Sequence, residues 1–100
     1  MIMDVDFTDK RLERLEVDPT YTADLAPNIV RGFRKAMQVI RAASDERDLY
    51  AMKGLRFERL KGKRDHQHSV RLNDQWRLIL ELRPKENGKK VWVIKIEDYH

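Results

Sequence analysis

Apolar residues recur at every third or fourth position between Ile29 and Ile40, but from Phe57 onward they recur at every second one. The first spacing is that of a helix with one buried face and the second that of half-buried strands. Helices followed by successive hairpin strands argue for an α+β architecture, an antiparallel sheet of about four or five strands with the N-terminal helices packed on one face. With 100 residues the chain encloses one hydrophobic core, so residues 1–100 read as a single domain.

In chain order, Met3, Val5 and Phe7 alternate with Asp4 and Asp6 as a short first strand. Thr8 is placed to cap a short helix carrying Leu12 and Leu15, and Asp18-Pro19 ends it, because proline disfavours helical geometry in the preceding residue. Asp24 is the candidate cap of the main helix, with Pro27 in its first turn and its end near Ala43. Steps of 100° gather Ile29, Val30, Phe33, Ala36, Met37, Val39 and Ile40 on one side, and Arg31, Arg34, Lys35, Gln38 and Arg41 on the other. Ser44 to Tyr50 reads as a short helical turn or loop. Strands follow at Arg56 to Lys61, His68 to Leu72, Trp76 to Arg83 and Val91 to Glu97. They are separated by Gly62 to Asp65, Asn73-Asp74 and Asn87-Gly88, and Pro84 is expected to stop the third.

Lys and Arg number 21 against 17 Asp and Glu, and the net charge of +4 favours a polyanionic partner. No cysteine is present, which excludes disulfides, thiolate nucleophiles and cysteine-based zinc sites. There is no signal-like N-terminus and no apolar run long enough to span a bilayer, so a cytoplasmic protein without membrane contact is expected.

Ser69 lacks the companions of a hydrolase triad, and no phosphate loop, dinucleotide fingerprint or zinc-protease motif occurs. The pair His66 and His68 offers two metal ligands with no third, and solvated residues are the simpler reading. Neither a cofactor nor a metal is therefore expected. His100 differs, since it continues a β-prone strand beside Asp98, and nearby negative charge favours the imidazolium form useful to a general acid. Arg77 follows Trp76 into the sheet, either to pair with Glu81 or Glu97 or to hold a phosphate in its planar fork. Lys61 belongs to a basic cluster from Arg59 to Arg64. This inventory suits RNA cleavage, in which the ribose 2′-OH supplies the nucleophile and the protein needs a base, a leaving-group acid and cations around the phosphate.

Three ordered stretches carry a resemblance: Arg59-Leu60-Lys61-Gly62, the run from Gln67 to Arg77, and Glu97-Asp98-Tyr99-His100. Together they make the chain from the main helix onward resemble the HigB branch of the RelE superfamily, toxins of bacterial type II toxin–antitoxin modules. The resemblance implies a compact microbial-RNase-like fold and a ribosome-dependent mRNA endoribonuclease that cuts in the A site without metal. It also implies neutralisation by a HigA-like helix-turn-helix antitoxin, with operator DNA contacted only through that complex. Carried over by position, Lys61 and Arg77 become phosphate and transition-state contacts, and Asp98, Tyr99 and His100 complete the site. Where some members carry histidine three residues before the lysine, this chain has Glu58. That carboxylate can serve as general base, or it can pair with Arg77 or Lys61. Arg59 and Arg71 are further RNA-backbone candidates. Arg34 and Arg41 lie on the basic helix face, which reads first as a solvated face and otherwise as an RNA or antitoxin contact; if it approaches ribosomal RNA, reversing their charge is expected to weaken ribosome binding and leave folding intact. The alternative is a non-catalytic RNA- or ribosome-binding module of the same fold, which the substitution at Glu58 makes thinkable.

Overall fold

The computed structural model describes residues 3–98; Tyr99 and His100, both assigned to the site above, lie outside them. In order come β1 (Asp4–Phe7), α1 (Lys10–Val17), α2 (Pro27–Ala42), α3 (Glu46–Ala51), β2 (Glu58–Arg59), β3 (Gln67–Arg71), β4 (Trp76–Lys85) and β5 (Gly88–Asp98), with single 3-10 turns at Lys53–Leu55 and Gly62–Arg64. The α+β reading holds, but the five-stranded sheet is mixed. Its order is β1-β5-β4-β3-β2, and β1 runs parallel to β5. No hairpin joins those two strands, so nothing local imposes the antiparallel sense, and the helices between them supply the long connection that a parallel pair needs. No described helix is long and apolar enough to cross a membrane.

Two caps differ from expectation. Asp9, not Thr8, caps α1, accepting from the Arg11 N–H at 2.9 Å. The Thr8 hydroxyl instead donates to the Val93 and Ile94 carbonyls at 3.3 and 3.2 Å. Asp24 does not cap α2; it sits in left-handed geometry at φ 59°, and the helix starts behind Ala26 with Pro27 in its first turn. Pro27 loses nothing there, because the N–H groups of a first helical turn have no intrahelical acceptor.

The apolar stripe of α2 is buried as its spacing requires: Val30, Phe33, Ala36, Met37 and Ile40 pack with Leu15 and Leu49 against Val70, Leu78, Leu80, Val91 and Val93 of the sheet. Gly32 lets α2 approach closely, since a Cβ there would lie 2.5 Å from the Leu72 carbonyl oxygen.

Pro84 does not end β4, which pairs through Lys85. The reason lies on the other side of the strand: β3 reaches only to Glu81, so beyond it β4 is an edge, where a missing N–H breaks no ladder. The β4–β5 ladder has one irregularity. Ile79 pairs with Lys95 but Leu80 with Val93, which makes Ile94 an extra residue on β5. Such a bulge inverts the alternation of faces, and Thr8 bonds to it directly.

Candidate active site

One sheet face carries the helices and the other does not. Register decides what the helix-free face displays, because directly paired residues point the same way. Glu58 pairs with Ser69, Ser69 with Ile79 and Ile79 with Lys95; Arg71 pairs with Arg77 and Arg77 with Glu97; Gln67 pairs with Glu81. The helix-free face thus places two arginines, three carboxylates and a lysine on and around Ile79. The bulge is what puts Lys95 and Glu97 here. With strict alternation from Trp92, Ile94 and Ile96 would occupy those places, whereas Ile96 packs against the core.

The middle of this face is not bare. From the turn at Gly62–Arg64, Arg64 sends its guanidinium across the sheet, donating from Nε to the Gln67 side-chain oxygen at 3.1 Å. Its two terminal nitrogens form a fork with the Glu97 carboxylate at 2.9 and 3.0 Å. Gln67 belongs to β3 and Glu97 to β5, so the line that Arg64 draws between them crosses β4 in the row of Ile79, between Glu81 and Arg77. Ile79 and Ser69 are fully buried on this face, which no described helix covers. Gln67 continues the chain of bonds to Glu81 at 3.1 Å. Lys95 joins Glu97 at 3.2 Å. The Arg64 fork, seconded by Lys95, holds the Glu97 carboxyl below the usual carboxylate range. Arg77 lies half-buried beside this pair, with its Nε and Nη1 sequestered.

Of the residues assigned to the site from sequence, Glu58, Arg71 and Arg77 share this face. Lys61 is exposed immediately beyond β2, at the start of the turn that carries Arg64. Arg59 pairs with His68, on the opposite face, and donates to the Asp65 carbonyl at 2.6 Å. Asp98 pairs with Trp76, likewise opposite to Arg77, and accepts from the Gln75 amide at 3.1 Å. Arg71 pairs with the exposed carboxylate of Asp74.

Arg34 and Arg41 have other partners. Arg34 donates to the carbonyls of Leu15, Asp18 and Tyr21 at 3.1, 2.9 and 3.0 Å, closing the exit of α1 onto α2. Arg41 forms a fork with Glu16 at 2.8 and 2.7 Å. Both tie α1 to α2, so the expectation that reversing their charge spares folding does not suit these contacts. Arg31 and Lys35 are exposed cations of that helix face, as is Arg41, while Arg34 is half-buried.

The two paired histidines diverge. His66 approaches Glu81 at 3.9 Å, while His68 is buried and stacked on Phe57, ring centres 4.7 Å apart and planes 8° from parallel. Burial pushes the His68 imidazole below its ordinary pKa. Among the described residues no three His, Asp or Glu side chains are grouped to hold a metal ion. Arg64 and Glu97 were the residues that sequence did not single out for the site. Arg64 reads as one more cation in a basic turn, and only the bulge brings Glu97 onto the same face.

Comparison with known proteins agrees with this architecture. A family model described as the RelE-like toxin of the type II toxin–antitoxin system HigB matches residues 5–100. Toxin HigB-1 of Vibrio cholerae is 33% identical over 79 residues, covering 79% of this chain and 83% of that one. Among solved structures, the YoeB/ParE toxin from Agrobacterium tumefaciens superposes with a TM-score of 0.57 at 15% identity, covering 98% of this chain and all of its own. The YoeB–YefM complex from Staphylococcus aureus gives a TM-score of 0.59 at 17% identity, covering 100% and 99% of the two chains. Sequence match and shared fold together make this chain a member of the HigB-like toxins, within the RelE superfamily of type II toxin–antitoxin systems.

Proposed function

We propose that the protein is a ribosome-dependent mRNA endoribonuclease whose active site is the helix-free face of the sheet. The observation that carries this reading is the presence of Arg71, Arg77 and Glu58 on that one face, at the strand edge from which Lys61 follows. Cleavage of RNA needs those roles and little more. A base takes the proton from the ribose 2′-OH, the 2′-oxygen bonds to the adjacent phosphorus, and the bond from phosphorus to the 5′-oxygen breaks. The leaving oxygen takes a proton from an acid, and a 2′,3′-cyclic phosphate remains. Cations pre-aimed at the equatorial oxygens stabilise the charge that builds up between these events.

Arg77 and Lys61 are assigned to the phosphate, His100 to the leaving group, and Tyr99 to stacking on a base or ribose. Register favours Glu58 over Asp98 as the base, since Glu58 shares the face of Arg77 and Asp98 does not. Arg71 is assigned to the RNA backbone. The neighbouring YoeB structure is a complex with YefM, and by analogy a HigA-like helix-turn-helix antitoxin is the proposed partner here, with operator DNA reached only through it.

Primer-extension mapping of translated mRNA after induction tests the reading. Cuts at defined codon positions that disappear in Arg77→Ala and His100→Ala variants are the expected result. Growth arrest without cuts would replace the enzyme by a ribosome-binding module.

A further inference from the structure

We infer that Arg64 is a substrate-phosphate ligand of this site, and that Glu97 holds it in the free protein in the place a phosphodiester takes. The inference rests on the nuclease reading and adds a residue to it.

The geometry has three parts. The guanidinium of Arg64 meets Glu97 through two parallel bonds of 2.9 and 3.0 Å, the fork with which arginine grips a carboxylate or a phosphate alike. Glu97 stands opposite Arg77 in the ladder and its carboxylate also meets Lys95 at 3.2 Å, so one anionic side chain gathers cations on the face that carries Arg77. Finally, among the described residues Arg64 is anchored, apart from Glu97, by Gln67 on its inner side, and its side chain remains 42% exposed. Arg64 comes from a short turn rather than from the sheet, so it can follow an incoming anion without disturbing the ladders.

An ion pair made only to stabilise the fold is a weak reason for this arrangement. Pairs this open contribute little, while the aligned arginines on the same face repel one another and Glu97 relieves that repulsion. A phosphate entering between Arg77 and Arg64 performs the same neutralisation and releases Glu97. The carboxylate therefore competes with RNA for Arg64. It lowers the affinity of the empty site for stray anions while keeping the guanidinium in place.

The test uses bacterial ribosomes programmed with an mRNA carrying a 2′-deoxy sugar at the scissile position, which binds without being cut. Affinity is measured against salt for wild type, Arg64→Ala, Arg64→Lys, Glu97→Gln and Arg77→Ala, alongside single-turnover cleavage of the all-ribose mRNA. Folding of each variant is followed by thermal unfolding. The expected results are a loss of roughly tenfold or more in affinity for Arg64→Ala and a salt slope shallower by about 0.7 for the lost phosphate contact. Arg64→Lys should recover part of the loss, and Glu97→Gln should bind more tightly than wild type. If Arg77→Ala abolishes cleavage while Arg64→Ala and Glu97→Gln leave affinity and slope at wild-type values, Arg64 is structural and the inference is wrong. If wild type cuts nothing and Arg77→Ala changes nothing, the nuclease reading itself fails and takes this inference with it.

Discussion

Arg71 and Arg77 stand directly opposite each other across the β3–β4 ladder, on the sheet face that carries no helices. Cross-strand pairs of opposite charge contribute roughly 0.2–1 kcal/mol and like charges oppose the ladder, so the fold gains nothing from this pair. An exposed partner such as Asp74 offsets little of the repulsion. Arg71→Gln should therefore hold the thermal midpoint or raise it by a few degrees, while weakening binding to programmed ribosomes. Arg77→Ala should lower cleavage by about 10²–10³-fold, the usual loss when one oriented donor to a transition state is removed. A drop in midpoint for Arg71→Gln with unchanged ribosome affinity would make Arg71 a structural residue.

Gly32 offers a test in which two effects oppose each other. Alanine is favoured over glycine inside a helix by about 0.8–1.0 kcal/mol, but here its Cβ would meet the Leu72 carbonyl oxygen at 2.5 Å and the carbonyl carbon at 3.2 Å. Both are backbone atoms at the end of β3, which cannot yield as a flexible side chain does. Overpacking of this kind costs about 1–3 kcal/mol. Gly32→Ala should therefore lower stability in urea titration, and an increase would show that α2 can move away from the strand.

His68 should make stability depend on pH. Its imidazole is buried, and its Nδ1 finds no hydrogen-bond partner among the described residues. Desolvation lowers its pKa in the folded protein. The unfolded chain therefore binds a proton first as pH falls through the ordinary imidazole value of about 6.5. Stability should be full above that value. It should decline as pH falls from there toward the lower folded pKa, below which the loss is complete. Urea unfolding at about pH 7.5 and about pH 5.5 should show this decline in wild type, and His68→Phe, which keeps the stacking on Phe57, should flatten it. An equal decline in the variant would assign the effect to other groups.

Much of this fold is legible in the residues because local and global preferences agree. The spacing of Phe33, Met37 and Ile40 marks the buried side of α2, and Asn73-Asp74 marks a turn that the structure keeps, with Asn73 accepting from the Gln75 and Trp76 N–H groups at 2.9 and 2.8 Å. What could not be read depends on contacts distant in sequence. Val91 to Ile96 is almost continuously apolar, so alternation cannot locate the extra residue at Ile94, and the faces of Lys95, Glu97 and Asp98 follow only from the ladder with β4. The parallel sense of β1 is equally non-local. The basic side of α2 looked uniform because sequence shows charge but not the carbonyls of Leu15, Asp18 and Tyr21 that engage Arg34.

Those carbonyls separate Arg34 from its neighbours on α2. Arg34→Ala removes three hydrogen bonds from a charged donor and leaves carbonyls at the α1 exit without it, which should cost about 2 kcal/mol or more. Arg31→Ala and Lys35→Ala are exposed substitutions and should stay within about 0.5 kcal/mol of wild type. The salt dependence of ribosome binding gives the complementary readout. It should be unchanged by Arg34→Ala at temperatures where that variant is folded, and a shallower slope there would return Arg34 to the RNA interface.

The proposed choice of Glu58 over Asp98 as base rests on the same register that places Arg77. Glu58 pairs with Ser69 on the helix-free face, whereas Asp98 pairs with Trp76 on the other and is held by Gln75. Glu58→Gln keeps size and hydrogen bonding but cannot accept the 2′-OH proton, so it should lower single-turnover cleavage by about 10²–10⁴-fold while leaving affinity for the uncleavable mRNA intact. It should also remove the limb of the pH–rate profile that reports the base. Asp98→Asn should do neither. His100→Ala should remove the opposite limb, since the acid assigned to the leaving oxygen is then gone. If Asp98→Asn rather than Glu58→Gln erases the low-pH limb that reports the base, then β5 must twist or shift beyond its last pair when RNA binds. Glu58 would then be left to balance the charge of the neighbouring cations, with no proton to carry.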